Sequence, residues 1–191
     1  YQSLHGEVHV QKVMDFMVKD ESNPSSIMSC LSAARENARA VRGTLTTEVW
    51  ETHNQTWLEV RRMVKNGDFE RDPGQFFEWV KFRSHLSRGV TVGTMLQDDS
   101  LHFLRIGTFL ERGDNTARIL DVKYYVLLPS LAWVGSSLDN VQWESVLRSV
   151  SGERAYRWLN AGAIDPKGIA EFLILDQRFP RSLHFCVDKL R

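Results

Sequence analysis

Glu111 and Arg112 head a short stretch, Glu111-Arg112-Gly113-Asp114-Asn115-Thr116-Ala117-Arg118-Ile119-Leu120-Asp121, that carries most of the chemistry this chain offers. Guanidinium groups at Arg112 and Arg118 form planar forks suited to carboxylate or phosphate, while Glu111 and Asn115 can orient a ligand or hold an amine. An acid among arginines favours its ionised form, which makes Glu111 a poor general acid. A second charged stretch, Arg35-Glu36-Asn37-Ala38-Arg39, has alanines on either side that permit close approach of another helix. Pro180-Arg181-Ser182 offers a further guanidinium at Arg181 near the start of the last helix.

Two readings of these residues stand side by side. Arg118 lies one turn from both Asp114 and Asp121, so those three can neutralise one another along a solvated face. Glu111 and Arg112 are consecutive and point about 100° apart, so each needs a partner on another element. The 34–39 stretch is the candidate for an interhelical ionic network with Arg112. The alternative is a ligand site, with Arg112, Arg39 or Arg118 as the fork and Glu111 and Asn115 setting orientation.

Other motifs are weaker. No Glu-x-x-His pairs mark a di-iron site, and His5 and His9 lack the order of a zinc-binding helix, so no metal is expected. No glycine-rich loop followed by Lys and no dinucleotide fingerprint occurs, so no nucleotide cofactor is expected. His102 is read as a partly buried helix residue, and Cys30 and Cys186 as small core hydrophobes of a reducing, cytoplasmic compartment. The aromatics Trp50, Trp57, Phe76, Phe77 and Trp79 recur at helical spacing and are read as core rather than as a stacking platform.

The elements that must position these groups are helices. In 191 residues, 24 Lys and Arg balance 24 Asp and Glu, so no global field draws nucleic acid or an anionic membrane, and no apolar run spans a bilayer. No strand alternation is evident, so the expected fold is an all-α, multi-helix antiparallel bundle in a single domain over residues 1–191. Asn23-Pro24 opens a helix whose stripe runs through Ile27, Leu31, Ala34, Ala38, Val41 and Leu45. Residues 47–66 form the next helix, ended by Gly67, and Pro73 opens an aromatic one through Leu86, interrupted around 89–93.

The longest helix is expected from about 98 to 128, stopping at Pro129, with a kink allowed at Gly107 or Gly113. Its apolar seam is read as Ile106, Phe109, Leu110, Ala117, Leu120, Tyr124 and Leu127. Arg112 projects at the margin of that seam, near Arg105, Thr116 and Lys123. Further helices are expected at 4–19, 138–150, 152–160, 166–176 and 180–190, the last starting at Pro180.

The segments "NPSSIMSCLSAARENARAVR" from Asn23, "LERGDNTARILDVKYYVLLP" from Leu110 and "AEFLILDQRFPRSLHFC" from Ala170 resemble the bacterial Alpha-E family, all-helical domains named for a Glu-Arg motif. The motif maps to Glu111 and Arg112, and Gly113 stands where the family pattern suggests alanine. The resemblance implies a further Glu-Arg helix upstream of Tyr1, which this chain is expected to lack. It also implies companionship with circularly permuted ATP-grasp proteins and transglutaminase-like proteins. The function expected on that basis is a non-catalytic helical component that binds or presents a peptide, or scaffolds the ligase, in a system making or modifying peptide or amide bonds. The competing expectation is an enzyme acting on an amino-acid-like substrate through the Glu111/Arg112 cluster.

Overall fold

The computed structural model describes residues 9–125, 127, 130, 134–160 and 164–191. It is all-α: ten helices and one 3-10 turn, with no strand among the described residues. Two compact units emerge, Tyr1–Leu101 and His102–Arg191. No helix of the described residues is long and apolar enough to cross a membrane.

The first unit contains α1 (Val10–Val18), α2 (Ile27–Ala40), α3 (Thr47–Lys65), the single turn α4 (Asp68–Arg71), α5 (Pro73–Thr94) and the start of α6 (Asp99–Tyr125). The expected helix over 4–19 appears as α1, and residues 1–8, which include His5, lie outside those described. Hydroxyl and carboxylate caps start the helices: Ser26 accepts from the Ser29 amide, Thr46 from Val49 and Asp72 from Gln75. Asn23 is buried and serves the same entry turn, its side chain accepting from the Ser25 amide and donating to the Phe16 carbonyl. Gly67 ends the α3 region with φ 73°, a left-handed conformation that a Cβ would disfavour.

Where the sequence suggests a break at 89–93, α5 runs unbroken through Thr94. The hydroxyls of Thr91 and Thr94 donate to the Ser87 and Val90 carbonyls, inside the helix rather than against it. Cys30, expected in the core, is exposed, because the stripe through Ile27, Leu31 and Ala38 turns it away. Of the aromatics, Phe76 is buried with Phe69, Val18 and Val60, Trp57 and Trp79 pack against that cluster, and Phe77 is exposed.

Contacts between α3 and α5 are polar as well as apolar. Thr46 meets Thr94, His53 meets Ser87, and Arg83 donates to the Thr56 hydroxyl at 2.7 Å and the Thr52 carbonyl at 3.2 Å. Partner numbers rise on one helix as they fall on the other, so the two run antiparallel. Burial pushes the His53 imidazole below its ordinary pKa. The neutral ring therefore belongs to the fold, and the unfolded chain binds more protons below about pH 6.5. Stability should fall with pH below that point and be flat above it. Melts of wild type and His53→Gln between about pH 5 and 8 check this; the variant should lose that part of the slope.

The second unit holds the rest of α6 with α7 (Ser137–Ser149), α8 (Glu153–Leu159), α9 (Pro166–Leu175) and α10 (Leu183–Asp188). Its core gathers Leu120, Trp143, Val146, Leu147, Val150, Tyr156, Ile169, Phe172, Leu173 and Phe179. The stop expected at Leu128 and Pro129 lies outside the described residues, while α6 is continuous past Gly107 and Gly113. Its last helix begins at Leu183 rather than Pro180, because Ser182 is the cap that accepts from the Phe185 amide.

The face that α6 buries differs from the expected seam. Ile106, Leu110, Ala117, Tyr124 and Leu127 are exposed or largely so, as is His102. The covered face is Phe109, Arg112, Gly113, Thr116, Ile119, Leu120 and Lys123. Polar members are tolerated there because each finds a partner, which removes the penalty of burial. Lys123, 1% exposed, pairs with the equally buried Asp139 at 2.5 Å, donates to Gln142 at 3.0 Å and lies over the Trp143 ring.

Candidate functional site

Arg112 and Arg181 reach the same place from two elements. Arg112 projects from the middle of α6 and its Nη1 donates to the Pro180 carbonyl at 3.5 Å. One turn on, the buried Thr116 hydroxyl donates to the Arg181 carbonyl at 2.8 Å. Gly113 faces α10 between them, with Cys186 Cβ 3.6 Å from the place of its missing Cβ. These contacts join α6 to the turn that precedes α10.

That turn is held by Asp176. Its carboxylate accepts from the backbone amides of Arg178 at 2.7 Å and Phe179 at 3.1 Å, while the Ser182 hydroxyl donates to the Asp176 carbonyl. The Arg178 guanidinium, followed by those amides, holds the Asp176 carboxyl below the usual range. Phe179 anchors the turn by stacking on Phe172 with ring centroids 4.5 Å apart. Arg181 is thereby carried on a braced segment rather than a loose loop.

Burial raises the Cys186 thiol pKa, and the positive charges of Arg112 and Arg181 pull it part of the way back. Both guanidiniums thus act on one point. Cys186 itself is buried, as expected of a core cysteine, and its raised pKa makes it a poor nucleophile.

Arg112 and Arg181 open onto a cavity of about 710 Å³ lying wholly within the second unit. Asn115, Thr116 and Arg118 continue its polar wall, and Ile119, Val122, Val141, Val146 and Val150 supply the apolar remainder. Its size falls in the range of about 300–1,000 Å³ typical of small-molecule sites. Gln142, Ser145 and Ser149 line the α7 side, where the serine hydroxyls donate to the carbonyls of Val141 and Val146. Among the described residues, no Asp, Glu, His or Cys lines it.

The remaining candidates divide. Glu111 is exposed and accepts from Asn115 at 3.4 Å, orienting that amide from outside the lining. Arg118 pairs with Asp114 at 2.6 Å, and Asp121 is exposed outside the cavity. Such exposed pairs contribute little to stability. In the first unit, Glu36 accepts Arg35 at 2.5 Å and Arg39 at 2.7 Å, and Arg35 donates to Asn54 at 3.0 Å. Asn37 is exposed on that helix. The two charged stretches belong to different units, and each forms ion pairs within its own. Among the described residues no cluster of three or more His, Cys, Asp or Glu is arranged to hold a metal.

Sequence reasoning missed the valines and Gln142 of α7, and it missed the Lys123–Asp139 pair behind them. Lys123 did project with Arg112 and Thr116, and that shared projection was the available signal. Asp139 sat in a helix-start pattern after Ser136, which suggests capping rather than a buried counter-ion.

Compared with known proteins, all of residues 1–191 match the model of a family described as a predicted alpha-helical domain with a conserved ER motif. No curated protein and no solved structure matches.

Proposed function

We propose that this chain, which belongs to the Alpha-E family, is a non-catalytic, cytoplasmic helical component that holds or presents a peptide for an ATP-grasp-linked system making or modifying amide bonds. The carrying observation is the second-unit cavity, lined by Arg112, Asn115, Arg118 and Arg181 and, among the described residues, by no acid, base or thiol. Guanidinium forks bind and orient carboxylates and phosphates but do not move protons at neutral pH. The two lining serines donate to helix carbonyls and no described lining residue is a base, so the described residues do not supply the arrangement that nucleophilic attack needs. Catalysis through Glu111 and Arg112 accordingly gains no support from the lining.

A circularly permuted ATP-grasp protein is the partner we propose, with a transglutaminase-like protein as a further companion; both come from the family resemblance. The ligase would bring its own nucleotide and metal, leaving this chain to supply the peptide. Titration of wild-type and Arg112→Glu protein into the ATP-grasp protein, with circular dichroism melts on the same samples, tests the role. The variant should bind at least about tenfold more weakly while melting as wild type does. Equal binding, or binding lost only together with the fold, would return the Glu-Arg motif to a structural part.

A further inference from the structure

Two side-chain amides line the cavity, Asn115 from α6 and Gln142 from α7, and a charged neighbour sets the orientation of each. An ammonium can only donate, so the end of Gln142 that meets Lys123 at 3.0 Å is its carbonyl oxygen. Lys123 is in turn held by the buried Asp139 carboxylate, which fixes the direction of that bond. On α6 the Glu111 carboxylate accepts, so the Asn115 amino group turns to it at 3.4 Å.

Each amide is left with its complementary end, N–H donors on Gln142 and a carbonyl acceptor on Asn115. Among the described residues neither end has a hydrogen-bond partner. Asn140 Oδ1 is the buried side-chain polar atom left unpaired among them, so the Gln142 amino group is accessible rather than sealed. A donor on one helix and an acceptor on the other match a secondary amide, whose C=O and N–H point in opposite directions across a trans peptide plane. A carboxylate or an ester brings no N–H for Asn115, and an ammonium brings no acceptor for Gln142. Ile119, Val122, Val141 and Val146 in the same lining suit an aliphatic group beside that amide.

Resting on the peptide-holding role above, we infer that this cavity takes a backbone amide of a peptide, with Gln142 donating to its carbonyl oxygen and Asn115 accepting from its N–H. Lys123 and Glu111 are then positioning residues that act through these two side chains. The glutamate of the Glu-Arg motif thereby has a part in recognition without touching the ligand.

Titration of the nitrogen-15-labelled full chain, followed by NMR, tests this with three probes: N-methylisovaleramide, methyl isovalerate and isovalerate. The amide should bind about tenfold or more tighter than the ester or the acid, which lack the N–H. The Gln142 side-chain amide signal, assigned by its loss in Gln142→Glu, should shift along the same binding curve. Gln142→Glu keeps an acceptor for Lys123 but puts an oxygen where the donor was, so it should bind the amide about tenfold more weakly without a lowered melt. Asn115→Leu, at an exposed position, should weaken binding about as much; it and the wild-type Gln142 signal decide the matter if Gln142→Glu melts early. Equal or tighter binding of the ester or the acid, a Gln142 signal that stays still, or wild-type affinity in a folded Gln142→Glu would overturn the assignment. No binding of the amide, while the ATP-grasp protein still distinguishes wild type from Arg112→Glu, overturns the amide site and leaves the peptide-holding role intact. Amide binding with the expected variant losses but without any ATP-grasp interaction supports the site and removes the partner.

Discussion

Replacing Lys123 by alanine should destabilise the second unit by about 3–5 kcal/mol, read as a lower urea midpoint with unchanged slope. The ammonium is buried with Asp139, whose two carboxylate oxygens are divided between Lys123 and the Gly135 amide at 2.9 Å. Deleting the lysine leaves that carboxylate in a site 2% exposed, without the cation that offsets its desolvation. It also removes the ammonium that lies over the Trp143 ring. Against a domain stability of about 5–15 kcal/mol the loss is large. Removing both charges in Lys123→Met/Asp139→Leu should recover much of it, since an apolar pair of similar volume escapes the desolvation cost. A double variant as unstable as the single one would instead place the stabilisation in the ionic bond itself. The single change should also loosen Gln142, which links this pair to the cavity wall.

The same pair shows where the sequence was readable and where it was not. Helix starts at Thr47, Pro73, Ser137 and Pro166 fall within a residue of those read from local turn and cap signals. The helix read as opening at Asn23-Pro24 begins at Ile27 instead, with Ser26 and not Asn23 as its cap. The buried face of α6 is not local. Counted by hydropathy it should hold Leu110, Ala117 and Tyr124; in the fold it holds Thr116 and Lys123, because Arg181 and Asp139, 65 and 16 residues away, supply their partners. Periodicity sees apolar atoms but not satisfied polar ones. The site was half legible for the same reason. Arg112, Asn115, Arg118 and Arg181 were marked by residue type, whereas the valines of α7 become a wall only once α7 lies along α6. Glu36 and its arginines could be read as ionic, and they are, but their ion pairs lie on their own helix, and it is the Arg35 hydrogen bond to Asn54 that reaches α3.

Phe172→Ala is the other large effect, expected to cost about 3–5 kcal/mol in the same denaturation experiment. Phe172 is 5% exposed, stacked on Phe179 and edge-on to Tyr156 with centroids 5.6 Å apart. Truncation leaves a void bounded by two rigid rings, and the surroundings have little room to collapse into it. Gly152 abuts the same rings: a Cβ there would fall 3.0 Å from Phe179 and 3.3 Å from Phe172. Phe172→Leu, which refills most of the volume, should cost clearly less than alanine. The functional consequence travels through Phe179, which anchors the turn from Asp176 to Ser182 that carries Arg181. Because that turn places the guanidinium, the ATP-grasp protein should bind Phe172→Ala more weakly than Phe172→Leu under conditions where both remain folded. Equal affinities would mean that Asp176 and Thr116 alone hold Arg181 in place.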